Sequence, residues 1–295
     1  MRLFQKSNSQ KSNSTTGILQ DAHPSAWREH RFGLPQARWE RLADRDFWIT
    51  GGGTGYGRCI ALALAAAGAR VFISGRRIEK LRETVDEGTA LGIDVRQCIA
   101  VPVDIRSKED LVRAVKNIQL ATPSLYGLVN SAALPQSAET AFPLTSQSEA
   151  AWTDLLATNV TGQWLTCKAA MPLLSHGEGF RILFLSSFAG WASTPGFGPY
   201  NLSKSALNTL GASLAAECAV RYPEKDVQVN VLVPGEARTE MNQGSTESPY
   251  AVVSMVLALL SHPPGGPNGS FFSRDGRHLA FGYTQEYHQP LLPAH

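Results

Sequence analysis

Tyr200 and Lys204 stand four residues apart in Pro199-Tyr200-Asn201-Leu202-Ser203-Lys204. On a helix, that interval puts both side chains on one face, close enough to act together. A phenol ionises near ~10 in water, too high for easy proton transfer at neutral pH, and a neighbouring ammonium favours its phenolate. The two residues are therefore a candidate acid/base couple. The interval alone is weak evidence, since Tyr200 could equally be an amphipathic core edge and Lys204 a solvated helix charge. Ser187, thirteen residues upstream of Tyr200, adds a hydroxyl that can donate to an oxygen on which negative charge develops, or else serve only as a loop hydroxyl. A second cluster is Thr50-Gly51-Gly52-Gly53-Thr54-Gly55-Tyr56-Gly57, which runs straight into the helical segment Arg58 to Ala67. Glycines there let the backbone turn tightly and let a phosphate approach the helix N-terminus, where free N–H groups and the macrodipole favour negative charge.

These clusters must be held by a scaffold, and the chain supplies a regular one from Asp46 onward. Short β-branched or aromatic runs alternate with longer helical stretches, the pattern of a parallel sheet with crossover helices. The expected strands are Phe47 to Thr50, Arg70 to Ser74, Cys98 to Val103, Gly127 to Asn130, Arg181 to Ser186, Gln228 to Val233 and Ser270 to Phe272. Helical patterns follow Gly57, Ile78, Lys108, Trp152, Tyr200 and Pro249. The alternation predicts an α/β fold: one doubly wound Rossmann-type domain with a seven-stranded, mostly parallel sheet flanked by helices. The glycine turn then falls in the first βα unit, where dinucleotides bind. The domain is expected to span residues 44–285, preceded by an extension, 1–43, and followed by a tail, 286–295. Residues 1 to about 20, rich in Ser, Asn, Gln and Lys, read as a flexible stretch. Residues 21–43, with Trp27, Phe32, Leu34, Trp39 and Leu42, are aromatic enough to pack on the domain or on a neighbouring subunit.

Over roughly residues 46–285 the chain resembles the classical short-chain dehydrogenase/reductase (SDR) family. The turn has the spacing TGxxxGxG, whereas the extended members, including many sugar-nucleotide epimerases and dehydratases, carry TGxxGxxG; Thr54 stands where that pattern needs glycine. Tyr200 and Lys204 match the YxxxK motif, Ser187 the family's serine at the end of the fifth strand, and Asn159 its helix asparagine. Asn159 could also be no more than a polar group inside a helix. The resemblance implies hydride transfer to or from a nicotinamide, with Tyr200 as acid in reduction and base in oxidation. Lys204 would tune Tyr200 and hold the nicotinamide ribose, Ser187 would steady the carbonyl oxygen, and Asn159 would relay protons through its main chain and a water. Cofactor contacts are implied for Gly51, Gly53, Thr54, Gly55, Tyr56 and Gly57 in the turn, for Asp104 and Ile105 near the adenine, and for Asn130 and Ala132 after the fourth strand. Tyr200 and Lys204 complete that set with Pro234, Gly235, Ala237 and Thr239 of a PGxxxT-like segment. Asn130-Ser131-Ala132-Ala133 departs from the family's Asn-Asn-Ala-Gly, with Ala133 in place of glycine.

The second strand ends Ser74-Gly75-Arg76-Arg77. An NAD-preferring relative would present a carboxylate where Gly75 stands, to accept from the ribose hydroxyls. Arg76 and Arg77 instead offer donors that suit a 2′-phosphate, so NADP(H) is preferred over NAD(H), unless the two are merely solvated surface charges. The segment between Thr239 and Pro249 is short, so the cleft is expected to be open and suited to a bulky carbonyl or alcohol substrate, with residues 21–43 or another subunit as a conceivable cover. Phe188, Trp191, Phe197 and Leu134 either line the pocket or pack the core. The alternatives kept in view are a sugar-nucleotide-modifying SDR and a catalytically silent NADP-binding sensor or scaffold.

Composition narrows the remaining classes. With 27 Lys plus Arg against 25 Asp plus Glu, the net charge of +2 offers no general attraction to nucleic acid or anionic membrane. Cys59, Cys98, Cys167 and Cys218 form no CxxC pair or Cys/His cluster, so neither a metal site nor a disulfide framework is indicated, and a reducing cytoplasm is the expected setting. The longest apolar run, around Ile60 to Ala67, is far shorter than the ~20 residues that span a bilayer. A homo-oligomer, tetramer or dimer, follows from the resemblance alone.

Overall fold

The computed structural model describes residues 24–135, 144–191 and 197–280. The glycine- and proline-punctuated apolar runs form seven strands: β1 (Asp46–Thr50), β2 (Arg70–Gly75), β3 (Cys98–Pro102), β4 (Gly127–Asn130), β5 (Gly179–Leu185), β6 (Asp226–Val233) and β7 (Phe271–Ser273). They make one sheet in the order β3-β2-β1-β4-β5-β6-β7. Every neighbouring pair is parallel, including the edge strand β7. Each strand end falls within two residues of its expected place, because Val, Ile, Leu and Phe runs buried on both faces stop abruptly at Gly, Asn, Asp or Ser. The strand order reverses between β2-β1 and β4, which opens a crevice at the carboxyl ends of β1 and β4.

The helices in chain order are α1 (Pro24–His30), α2 (Gln36–Glu40), α3 (Gly55–Ala66), α4 (Ile78–Ala90), α5 (Lys108–Gln119), α6 (Glu149–Leu156), α7 (Gln163–Leu174), α8 (Gly198–Arg221) and α9 (Val253–Leu260). Ser107 and Ser148 start α5 and α6 by accepting from the amides of Asp110 and Ala151. The start of α3 differs: Thr54 gives no side-chain cap, so the helix end facing the glycine turn keeps its N–H groups for another acceptor. Between α6 and α7 the chain widens into a π turn, Ala157–Gly162, and the three segments form one continuous helix that carries Asn159.

Helix α3 is apolar nearly all round, with Cys59 through Ala66 buried. A helix with that pattern cannot lie on a surface. The sheet covers one side, and α9 with residues 24–43 covers the other. Trp27 packs on Phe32 and Tyr250 at ring separations of 5.4 and 5.1 Å, and Phe32 stacks on Trp39 at 6.4 Å. Arg38 donates to the Ser261 hydroxyl at 3.1 Å and to the Ala258 carbonyl, and Ser254 donates to the Phe32 carbonyl at 2.8 Å. Residues 24–43 are thus the outer wall of the core. Replacing Phe32, 2% exposed, with alanine empties the centre of that aromatic cluster. Phe32→Ala is expected to lose about 3–5 kcal/mol of unfolding free energy, read from urea denaturation; a change below 1 kcal/mol would mean the segment is an appendage.

Candidate active site

The glycine turn is shaped by what a side chain would strike. Gly51 sits at φ +69°, and a Cβ there would lie 2.9 Å from the Ala132 backbone; at Gly57 it would lie 2.3 Å from the Gly51 carbonyl oxygen. The turn is held from behind by its carbonyls: Thr84 donates to Gly52 at 3.1 Å, and the Arg58 guanidinium donates to Gly53 at 2.6 and 3.0 Å. Arg58 is itself fixed by Thr84 at 3.1 Å and by Glu83 at 3.1 Å. The Thr50 hydroxyl accepts the Ser131 and Ala132 amides, each at 3.1 Å, tying β1 to the segment after β4.

Over this turn lies a cleft. Of the residues singled out from sequence, Gly51, Gly53, Thr54, Gly55, Tyr56, Arg76, Arg77, Asp104, Ile105, Ala132 and Thr239 line it. Asn130 does not; at 0% exposure it lies beneath the cleft and donates to the Cys167 sulfur at 3.4 Å. Gly57 backs the turn, and Pro234, Gly235 and Ala237 stand behind the wall, with the Gly235 carbonyl accepting from the Tyr56 hydroxyl at 2.9 Å. Leu134, read from sequence as lining the pocket or packing the core, lines it too, and the lining also includes Lys80, Ser131, Thr158, Glu240 and Met241. Lys80 was legible one helical turn after Arg77; Thr158 and Glu240 carried no signal apart from their neighbours Asn159 and Thr239. Residues 24–43 do not line this cleft. Asp104 is paired with Arg106 at 2.7 Å, which holds its carboxyl below the usual range.

The proposed catalytic side chains meet beside this cleft, at the carboxyl end of β5. Ser187, two residues beyond the end of β5, caps a short 3-10 turn by accepting from the Ala189 amide at 3.2 Å. Its hydroxyl faces the phenol of Tyr200, in the first turn of α8, closely enough to favour the phenolate. Lys204 is 3% exposed; its ammonium donates to the Leu185 carbonyl at 3.0 Å and stands 5.6 Å from the Tyr200 ring centroid. The Asn159 amide is fully used. Its Oδ1 accepts from the Leu134 amide at 2.7 Å, and its Nδ2 donates to the Leu134 carbonyl at 3.1 Å and to the Ser203 hydroxyl at 3.2 Å. Any proton relay through Asn159 therefore falls to its main chain.

Electrostatics differ from the simple expectation that the lysine depresses the phenol. Burial pushes Tyr200 above its ordinary value, opposed by the neighbouring Ser187 hydroxyl, and burial pushes Lys204 down to about 8. The ammonium is turned to a carbonyl rather than to the phenol oxygen, so desolvation outweighs mutual attraction. Phe188 and Phe197, flanking Ser187 and α8, are 49% and 39% exposed, whereas Trp191 packs edge-on against Phe271 at 5.7 Å. The four cysteines are buried, and burial raises each thiol.

A parallel sheet whose crevice holds a glycine turn, with a Ser, Tyr and Lys group at its edge, defines a nucleotide-binding oxidoreductase fold. A family model described as short chain dehydrogenase matches residues 47–249. The chain is 30% identical over 229 residues to dehydrogenase/reductase SDR family member 4 of Rattus norvegicus, covering 77% of this chain and 78% of the relative. It is 26% identical over 228 residues to an uncharacterised oxidoreductase of Staphylococcus aureus, covering 75% of this chain and 93% of the relative. A short chain dehydrogenase of Shigella flexneri complexed with NADP superposes with a TM-score of 0.72 at 26% identity, over 80% of this chain and 99% of that one. A short chain dehydrogenase of Escherichia coli complexed with NADPH gives a TM-score of 0.72 at 27% identity, over 80% and 98%. The chain belongs to the short-chain dehydrogenase/reductase family, whose members are oxidoreductases that bind a nicotinamide cofactor. Among the described residues no helix is long and apolar enough to cross a membrane.

Lys204 carries a pH signature. Because its folded value lies near 8 and its unfolded value near 10.5, the unfolded chain binds more protons between those limits, so this group's contribution to stability rises with pH across that window. Relative to Lys204→Met, the wild type is expected to gain on the order of 1–3 kcal/mol between pH 7.5 and 10.5, followed by urea unfolding at each pH. A constant difference would mean that the ammonium is solvated.

Proposed function

We propose that the protein is an NADP(H)-dependent oxidoreductase that interconverts a carbonyl and an alcohol. The observation that carries this reading is the hydroxyl pair Ser187–Tyr200 with a buried Lys204 behind it, beside a cleft whose rim is basic and whose β2 end is Gly75. The cleft fits a dinucleotide: α3 is uncapped over the glycine turn, and Arg76, Arg77 and Lys80 stand where a 2′-phosphate would be met. The nicotinamide, when bound, supplies or accepts the hydride.

The residues would divide the remaining work as follows. The Ser187 hydroxyl donates to the substrate oxygen as negative charge gathers on it. Tyr200, which burial keeps protonated, gives its proton to that oxygen in reduction and takes it back in oxidation. Lys204, with a value near 8, is poised close to neutral pH to return a proton to the phenol oxygen, and the wide turn around Asn159 would open its main chain to the solvent side of that relay. A catalytically silent sensor would need a cleft but no hydroxyl pair.

A panel of ketones and aldehydes, bulky ones included, assayed by loss of NADPH absorbance tests the reading directly. Tyr200→Phe is expected to bind NADPH within about two-fold of wild type yet lose at least about 100-fold in kcat; near-normal turnover refutes the acid/base role. Arg76→Ala is expected to raise KM for NADPH about ten-fold, the loss of one charged hydrogen bond, and to leave KM for NADH unchanged. Equal effects on the two cofactors would count against the phosphate assignment.

A further inference from the structure

The basic rim of the cleft already holds an anion of the protein's own. Arg77 donates to the Glu240 carboxylate at 2.7 Å, and the Lys80 ammonium lies 3.9 Å from its other oxygen. All three side chains line the same cleft, although Glu240 comes from the loop after β6, far along the chain. Nothing in the proposed chemistry uses Glu240.

The loop that carries it is fastened on its far side. Arg238 donates its amide to the Glu247 carbonyl at 2.7 Å, Arg274 donates to the Glu236 carbonyl at 2.9 Å, and Arg274 also meets the Glu247 carboxylate at 3.5 Å. Thr239, the residue before Glu240, touches the phosphate turn itself: a Cβ on Gly55 would lie 3.1 Å from its methyl. The carboxylate is therefore delivered to the rim from a fixed base.

We propose that Glu240 is a specificity-setting residue that competes with the cofactor's 2′-phosphate for Arg77 and Lys80, resting on the reading that this rim receives such a phosphate. A carboxylate and a phosphate monoester present similar acceptor oxygens to a guanidinium, and two anions cannot share the pair without repulsion. A dinucleotide carrying the 2′-phosphate must displace Glu240, whereas one with a free 2′-hydroxyl leaves the bridge intact. Glu240 thereby weakens NADP(H) selectively and eases its release.

The test uses the full chain and its Glu240→Gln variant, titrated by tryptophan fluorescence with NADPH, NADH, 2′,5′-ADP and 5′-ADP. Arg77 and Glu240 are about half exposed, so the bridge is a modest one. E240Q is expected to bind NADPH and 2′,5′-ADP about two- to five-fold more tightly than wild type, to leave NADH and 5′-ADP unchanged, and to lose most of its advantage in 0.5 M salt. Unchanged NADPH affinity overturns the proposal. Equal tightening of all four ligands overturns it as well, by reducing Glu240 to a general charge effect, and so does weaker NADPH binding, which would make Glu240 a support for Arg77. If wild type binds NADPH no better than NADH and Arg76→Ala alters neither, the cofactor reading itself has failed and the competition falls with it. A wild-type preference for NADPH without an E240Q effect removes the competition alone.

Discussion

An ammonium taken out of water costs several kcal/mol unless something in the protein replaces its hydration. Lys204 is 3% exposed and has one carbonyl oxygen, that of Leu185, together with the nearby Tyr200 ring. That thin compensation organises the site. It requires α8 to lie against the end of β5, since only there can the helix bring an ammonium to the last carbonyl of a strand. The same geometry leaves Ser187, two residues on, beside the first turn of α8 and its phenol. The desolvation that depresses the ammonium also raises the phenol, so the proton rests on Tyr200 while Lys204 gives its own up more readily than in water. An acid held protonated beside an ammonium that readily gives up its proton suits proton donation to a carbonyl oxygen better than a phenolate would.

The dinucleotide side of the crevice is built on the opposite economy of charge. Its glycine turn is shaped by steric exclusion, with Gly57 against the Gly51 carbonyl, and is held by Arg58 and Thr84 through the Gly53 and Gly52 carbonyls. With those carbonyls engaged from behind and the Gly52 amide given to the Ser74 carbonyl at 3.1 Å, it is the uncapped start of α3 that is left to the cleft. The cations are confined to the rim, where they remain partly solvated and cheap to keep. Tyr56 joins the two halves by donating to Gly235 at the end of β6, so the phosphate turn and the PGxxxT-like segment form one wall.

Most of the scaffold was legible because its signals are local. Runs such as Trp48-Ile49-Thr50 and Val231-Leu232-Val233 end at punctuating residues, and a parallel sheet leaves little freedom once strands and helices alternate. The family spacing likewise brought Ser187, Tyr200 and Lys204 together from distant segments. What was not legible depends on tertiary partners. Asn159 reads as a polar residue within a helix, and nothing in Ala157-Thr158-Asn159 announces the π turn, which arises where the helix must present an amide to Leu134 and Ser203 at once. The depression of Lys204 by burial rather than of Tyr200 by charge could not be read from an interval of four. Asn130 looked like a cleft residue because it ends β4, yet its side chain turns down to Cys167. Arg58 looked like the start of a helix and proves to be the clamp of the turn.

The separation of buried from exposed charge has a further consequence for how such a site can vary. A change at Lys204 alters a thinly compensated charge in a low-dielectric setting, where a lost partner costs several kcal/mol. A change at Arg77, Lys80 or Glu240 alters a solvated pair worth a few tenths to about 1 kcal/mol. Rim and core share no hydrogen-bond partner among the described residues, and the effects of sites without shared partners add. On the function proposed, cofactor discrimination can therefore be retuned at the rim by steps too small to disturb folding, while the buried Tyr200–Lys204 couple stays fixed. The fold thus places its tolerance for variation at the mouth of the crevice and its intolerance at the end of β5.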